Sequence, residues 1–241
     1  SKPNNDSGRL EYVRIEYGGA KFPAGQDGVS LDLAGVGDQT VIDHVMFRFP
    51  GDDCVEIIGG TVNIKHMLCQ YPFDDGIAWE NGWVGKVQFI VVQGRPLIDN
   101  NSNGLQGRSG NTAPISNPFI YNGTFCGQNS LPTTVRDNQQ YGIRGDSFTH
   151  FHVINSIFMG WEATVDLRGT TIAADVALGS SDAGTGIEFR NSLAYQNVAA
   201  NVAYNETAPP PATTKDPFFD DDNAFDENAW WKSAANNNSE A

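Results

Sequence analysis

The chain has 241 residues, with 15 basic and 29 acidic side chains and a formal net charge of −14 at pH 7. That balance excludes a nucleic-acid binder working through a basic patch and docking on an anionic membrane surface. Aromatic residues at 11% exclude an acidic disordered chain, and 26 glycines with 22 asparagines favour frequent turns over long helices.

Ser1 to Gly8 is polar and lacks the apolar stretch of a signal peptide. The longest apolar run, Phe89–Val92, is far too short to cross a bilayer, so no membrane insertion by this segment is expected. Cys54, Cys69 and Cys126 allow one disulfide at most, and their spacing does not choose the pair; Cys69 is expected to be interior and inert. No zinc-protease, hydrolase-elbow, P-loop or CxxC motif is present.

In chain order, the first alternating segment is Leu10–Gly18, followed by a loop over Gly19–Asp27 and a short strand at Val29–Leu31. Thr40–Gly59 then overlies Val62–Asn81: His44 falls on His66, Pro50 on Pro72, Asp52 on Asp74 and Asp53 on Asp75, each at a step of 22. A further step reaches Val87–Val92, and Leu10–Gly18 aligns with Ile42–Pro50 at a step of 32. Within each copy the period is two, the strand signal. The inward set reads Val13, Ile15, Tyr17; Val45, Phe47, Phe49; Met67, Cys69, Tyr71; Phe89, Val91. Short second strands follow each Asp pair at Val55–Ile57 and Ile77–Trp79.

Repeats of this length with no helical period predict an all-β fold, a right-handed parallel β-helix of about 22 residues per coil, in which stacked coils share one core. Further strands are expected in Asn117–Cys126, Tyr141–Arg144, His150–Phe158, Thr164–Arg168 and Gly186–Tyr195. Arg95–Ser116 reads as a loop, and Thr170–Thr185 as an insertion with a short helix around Ile172–Leu178. Residues 1–204 form the β-helix in this reading. Residues 205–241 form an acidic C-terminal strap ending in a short helix.

Three segments, Gly8–Tyr17 (GRLEYVRIEY), Gly35–Val45 (GVGDQTVIDHV) and Gly51–His66 (GDDCVEIIGGTVNIKH), resemble a group of secreted or lipid-anchored bacterial proteins of myxobacterial and Bacteroidetes-like lineages. Phe73–Gly76, Gly85–Phe89 and Asn155–Trp161 extend the resemblance. It implies a right-handed parallel β-helix exported to the cell surface or beyond, and no particular activity. It also implies another acidic residue in the loop after the third copy, where this chain reads Gly104–Arg108.

The sharpest chemical feature is the set Asp52, Asp53, Asp74 and Asp75. On adjacent coils like positions stand about 5 Å apart, the separation used by retaining glycosidases. The histidine and basic clamp of polygalacturonase-like β-helix hydrolases are missing, since the next step lands on Pro96 and Leu97 beside Arg95 alone. Carboxylates in turns more commonly cap backbone N–H groups, and four of them together call for hydrogen bonds, protons or a bridging cation such as Ca²⁺.

His44 and His66, one rung apart, have no evident third metal ligand and read as a polar ladder. His150 and His152 read the same way. Met46, Leu68 and Ile90 form an outward apolar row, a candidate interface to be covered by the tail (Phe218, Phe219, Trp230, Trp231) or by a partner. The expected function is an exported structural or adhesive module that binds glycan, protein or its own copies, with Ca²⁺ as the candidate cation. The alternatives are a polysaccharide-active hydrolase or lyase acting through the four aspartates, and a subunit of an envelope assembly.

Overall fold

The computed structural model describes residues 2–19, 28–95, 102–128, 141–146, 148–161, 163–168, 174–175, 185–195 and 227–240. Its strands in chain order are β1 (Arg9–Glu16), β2 (Asp32–Ala34), β3 (Val41–Arg48), β4 (Val55–Gly60), β5 (Asn63–Gln70), β6 (Ile77–Trp83), β7 (Lys86–Gln93) and β8 (Leu105–Gly107). They continue as β9 (Phe119–Cys126), β10 (Tyr141–Gly145), β11 (Phe151–Ile154), β12 (Ile157–Met159), β13 (Ala163–Leu167), β14 (Ile187–Arg190) and β15 (Leu193–Tyr195). A short helix α1 (Glu227–Trp231) and β16 (Ser239–Glu240) close the order.

Two parallel sheets wind around one core. The first runs β1-β3-β5-β7-β9, after which β9 pairs with β11 through its first half and with β12 through its second. β14, β15 and β16 extend it. The second runs β2-β4-β6-β8-β10-β13. Strands of like kind stack coil on coil, so the chain is a parallel β-helix.

One residue in every rung of the first sheet takes a left-handed backbone. Tyr12, His44, His66, Phe89, Asn122, Asn155, Asn191 and Asn237 all have φ between 50 and 59°. This residue bends the strand and inserts an extra step into the alternation, so the inward side chains of β3 are Ile42, Val45 and Phe47. The later coils use asparagine there, the non-glycine residue that tolerates this conformation best.

The extra step corrects the orientation expected for the third copy. Val45 faces Met67 across β3 and β5, whereas Met67 faces Ile90, one residue beyond the 22-residue step. Ile90 and Val92 are therefore buried, and Phe89 and Val91 stand outside at 42% and 41% exposure. Tyr17, Phe49 and Tyr71 are not inward either. They turn the chain out of the sheet at φ 53, 50 and 57°. The second strand of the first coil is β2, with Leu33 opposite Ile57, and not Val29–Leu31. The expected loop Arg95–Ser116 holds β8.

The core is one column of Ile, Val, Phe and Trp. Trp79, Trp83 and Trp161 are buried with their indole N–H groups satisfied by the Thr149 hydroxyl and by the carbonyls of Val62 and Phe125. Cys54 and Cys69 are joined as a disulfide inside it, so Cys69 is a cross-link and not an inert thiol. Cys126 is free and half-buried. At the far end Trp230 and Trp231 pack on Phe189, with ring centroids 5.5 and 5.4 Å away. The described part of the expected strap thus closes the end of the coil. Residues 205–226, with Phe218 and Phe219, lie outside the described residues, as does most of the helix expected at 172–178.

Candidate functional site

The repeat brings the aspartates to the corner between the two sheets. Phe49 and Tyr71 directly follow β3 and β5, Pro50 and Pro72 come next, and the Asp pairs precede β4 and β6. The two members of each pair have different environments. Asp53 and Asp75 point inward and are buried, and Asp52 and Asp74 are half-buried.

Asp53 Oδ1 accepts the backbone N–H of Asp75 at 2.7 Å. Asp75 Oδ1 accepts the backbone N–H of Asn103 at 2.7 Å and its side-chain amide at 2.9 Å. Asn103 Oδ1 then accepts the N–H of Tyr141 at 3.1 Å. The third rung of the ladder is thus Asn103, and not the Pro96 and Leu97 that a constant step implied. It lies just before the Gly104–Arg108 segment, and its side-chain oxygen accepts the backbone N–H of the next coil as the aspartates do, without charge.

Burial, reinforced by Asp74, pushes the Asp53 carboxyl well above its ordinary range. Burial and then Asp53 do the same to Asp75. Asp52, Asp53 and Asp74 bring carboxylate oxygens within 4.8 Å of one another, while Asp75 is committed to Asn103. Such a trio is suited to a proton or to a hard cation with oxygen ligands.

Beside the trio lies a groove of about 480 Å³, lined by Tyr17, Gly19, Phe49, Pro50, Gly51, Phe73 and Arg95. Two of its lining residues start an aromatic ladder: Tyr17 stacks on Phe49 at 5.4 Å, and Phe49 stacks on Tyr71, beyond the groove, at 5.2 Å. The Arg95 guanidinium lies 6.0 Å from the Phe73 ring. Sequence reasoning missed this surface by turning the three aromatics inward. The available signal was Gly18 after Tyr17 and a proline after Phe49 and Tyr71, all turn residues.

On the outer face of the first sheet, His44 and His66 stack at 4.3 Å between Tyr12 and Phe89. Both Nδ1 atoms approach the same Asp43 Oδ1, at 2.9 and 2.8 Å. His152 is buried between Glu188 and Asn117 and stacks on Phe119 at 4.1 Å, while His150 pairs with Asp175. The outward apolar row is Met46, Leu68 and Val91; Ile90 belongs to the core.

Two parallel sheets, coil-on-coil stacking and a polar corner ladder define a parallel β-helix. A family model described as pectate-lyase-like beta helix domain matches residues 1–237, and the chain belongs to that family. No curated protein and no solved structure matches the chain.

Proposed function

We propose that this chain is an exported β-helix module that binds glycan at the coil corner. The observation that carries the reading is the stacked pair Tyr17–Phe49 opening on the groove with Phe73 and Arg95. Aromatic faces offer flat apolar platforms to the C–H faces of sugar rings. A guanidinium adds a fork of donors for hydroxyl or carboxylate oxygens. Export is supported by the buried Cys54–Cys69 disulfide, a bond that persists in oxidising compartments. A Ca²⁺ ion at Asp52, Asp53 and Asp74 is part of the same proposal, because it offsets three crowded carboxylates next to the groove. The module reading carries its adhesive role through this groove. The row Met46, Leu68 and Val91 is the surface that contact with a protein or a second copy would use.

The hydrolase or lyase alternative is less well supported. The two carboxyls with strongly raised pKa values, Asp53 and Asp75, are buried and committed to backbone N–H groups of the next coil. That leaves Asp52 and Asp74 to act on a substrate.

Calorimetric titration with soluble neutral and uronic oligosaccharides, with and without Ca²⁺, tests the proposal. Binding is expected for wild type and lost in a Tyr17→Ala/Phe49→Ala double variant. Release of new reducing ends or unsaturated products, abolished by Asp74→Asn, would favour the enzyme instead. Absence of binding to every oligosaccharide would remove the glycan reading, and a Tm unchanged by EDTA would remove the cation.

A further inference from the structure

The paired histidines of the outer face lie on a different surface from the groove. The structure supplies the third ligand that their spacing alone did not show. Asp43 sits on the same strand as His44 and opposite Lys65, and its Oδ1 lies 2.9 Å from His44 Nδ1 and 2.8 Å from His66 Nδ1. The three ligand atoms all lie within 4.8 Å of one another. We propose that Asp43, His44 and His66 form a binding site for a divalent late transition metal of the zinc class.

Ligand chemistry selects the metal. Two imidazoles and one carboxylate suit zinc, nickel or copper, and disfavour calcium and magnesium, which take oxygen donors. Geometry permits closure. Donor atoms about 2.1 Å from a tetrahedral ion stand roughly 3.4 Å apart; the two Asp43–histidine separations, 2.9 and 2.8 Å, are shorter, so the side chains would open by about 0.5 Å to admit the ion. The three side chains are 42%, 36% and 29% exposed, so an ion enters from solvent and a water completes its coordination.

The imidazoles are also held in place. His44 and His66 both have left-handed backbones, at φ 52 and 51°, which aligns their rings along the coil axis. Tyr12 stacks on one side at 4.6 Å and Phe89 on the other at 5.2 Å. A preoriented pair loses less rotamer freedom when it binds. The neighbouring cation, Lys65, leans over the Phe89 ring at 5.6 Å. A metal would take Nδ1 of each ring in place of its contact with Asp43, leaving Nε2 to face solvent.

The test is titration of chelator-stripped, desalted protein with Zn²⁺ against a chromophoric competitor, in 1 mM Ca²⁺ to occupy any oxygen site. One equivalent is expected to bind in wild type. His66→Asn and Asp43→Asn are each expected to weaken it more than about tenfold. His152→Asn and Tyr17→Ala should leave it unchanged, so failure here is separable from failure of the glycan reading. Asparagine suits the test at position 66, because the later coils carry Asn122 and Asn155 at the equivalent bend. Imidazole ¹⁵N shifts should move at Nδ1 of both rings. No Zn²⁺ binding at tens of micromolar, or binding retained in either Asp43→Asn or His66→Asn, would overturn the proposal.

Discussion

Asp53 Oδ1 accepts the backbone N–H of Asp75 at 2.7 Å, one coil further along. Asp75 repeats the contact on Asn103, and Asn103 repeats it on Tyr141. Three coils therefore use one side-chain acceptor to fasten the next turn, with a carboxyl in two of them and an amide in the third. The amide shows that the fold needs the acceptor oxygen and not the charge.

That equivalence gives the first prediction. Asp53→Asn keeps the acceptor, and its new N–H₂ group can donate to the neighbouring Asp52 or Asp74 carboxylate. The folded-state pKa of Asp53 lies well above the ordinary value of 3.8. Its contribution to stability is therefore fully present below that value and lost as pH rises through the folded-state pKa. In EDTA at pH 7 the variant should be more stable than wild type by about 1–3 kcal/mol, the scale of a buried uncompensated charge. Near pH 4 the advantage should vanish. Saturating Ca²⁺ should reverse the order if the trio holds the ion. Urea unfolding at pH 4 and 7, with and without Ca²⁺, reads all three, and a variant weaker than wild type in EDTA at pH 7 would contradict this account.

The Cys54–Cys69 bridge ties the corner of one coil to the strand of the next across a sequence separation of 15. Closing a loop of that size lowers the entropy of the unfolded chain by an amount worth about 3 kcal/mol. A Cys54→Ala/Cys69→Ala variant should lose stability of that order in urea. Both half-cystines are wholly buried, so reductant should act on the native protein only as fast as it opens. Thiol counting on intact and denatured protein should find one free group, Cys126, before reduction and three after.

Much of the coil was legible because stacking forces the sequence to repeat. His44 over His66 and the two Asp pairs declared the register of β3 on β5 and of β4 on β6. Two things were not legible. A left-handed bend within a strand leaves little trace when the residue is Tyr, His or Phe and not Asn or Gly, so strict alternation carried through Phe89 inverts the fourth strand of the first sheet, β7. Coil length also varies. Lys86 faces Phe119, and Ile77 faces Leu105, because insertions at the corners leave the stacked strands in place. A constant step therefore overlooked Asn103, and the aromatic groove went unseen because Tyr17, Phe49 and Tyr71 satisfied an apolar pattern equally well inside or outside.

His152 offers a pH-dependent prediction. It is buried, with Nδ1 2.9 Å from Glu188 and Nε2 3.1 Å from the Asn117 side-chain oxygen. Burial holds its pKa below 6.5 despite the opposing pull of Glu188, whose other oxygen pairs with Arg190. The unfolded chain therefore takes up this proton first as pH falls. The stabilisation is fully present above about pH 6.5 and lost as pH drops through the folded-state value. His152→Gln should be less stable than wild type by about 1–2 kcal/mol at pH 8, with the gap narrowing toward pH 5. Because Asp53 and Asp75 act in the opposite direction, the difference between wild type and variant, and not either curve alone, is the quantity to measure. A gap constant from pH 8 to pH 5 would show that His152 does not titrate differently on folding.

The end of the solenoid supplies the last prediction. A parallel coil exposes unpaired strand groups and apolar side chains wherever stacking stops. Here β16 pairs with β15, and Trp231, only 1% exposed, packs on Phe189, which in turn meets Phe151 and Phe158. Trp231→Ala removes the fully buried tryptophan of this cap and should cost about 3–5 kcal/mol if the cavity does not collapse. The cost should appear first as local opening of β14 and β15, with faster amide exchange there than in β3 and β5. Size-exclusion chromatography should show self-association that rises with temperature, as the freed edge finds other copies. Trp230→Ala, whose ring meets Phe189 edge-on from a partly exposed position, should have a smaller effect. Equal losses from the two variants would mean that α1 acts as a whole and that Trp231 is not the plug.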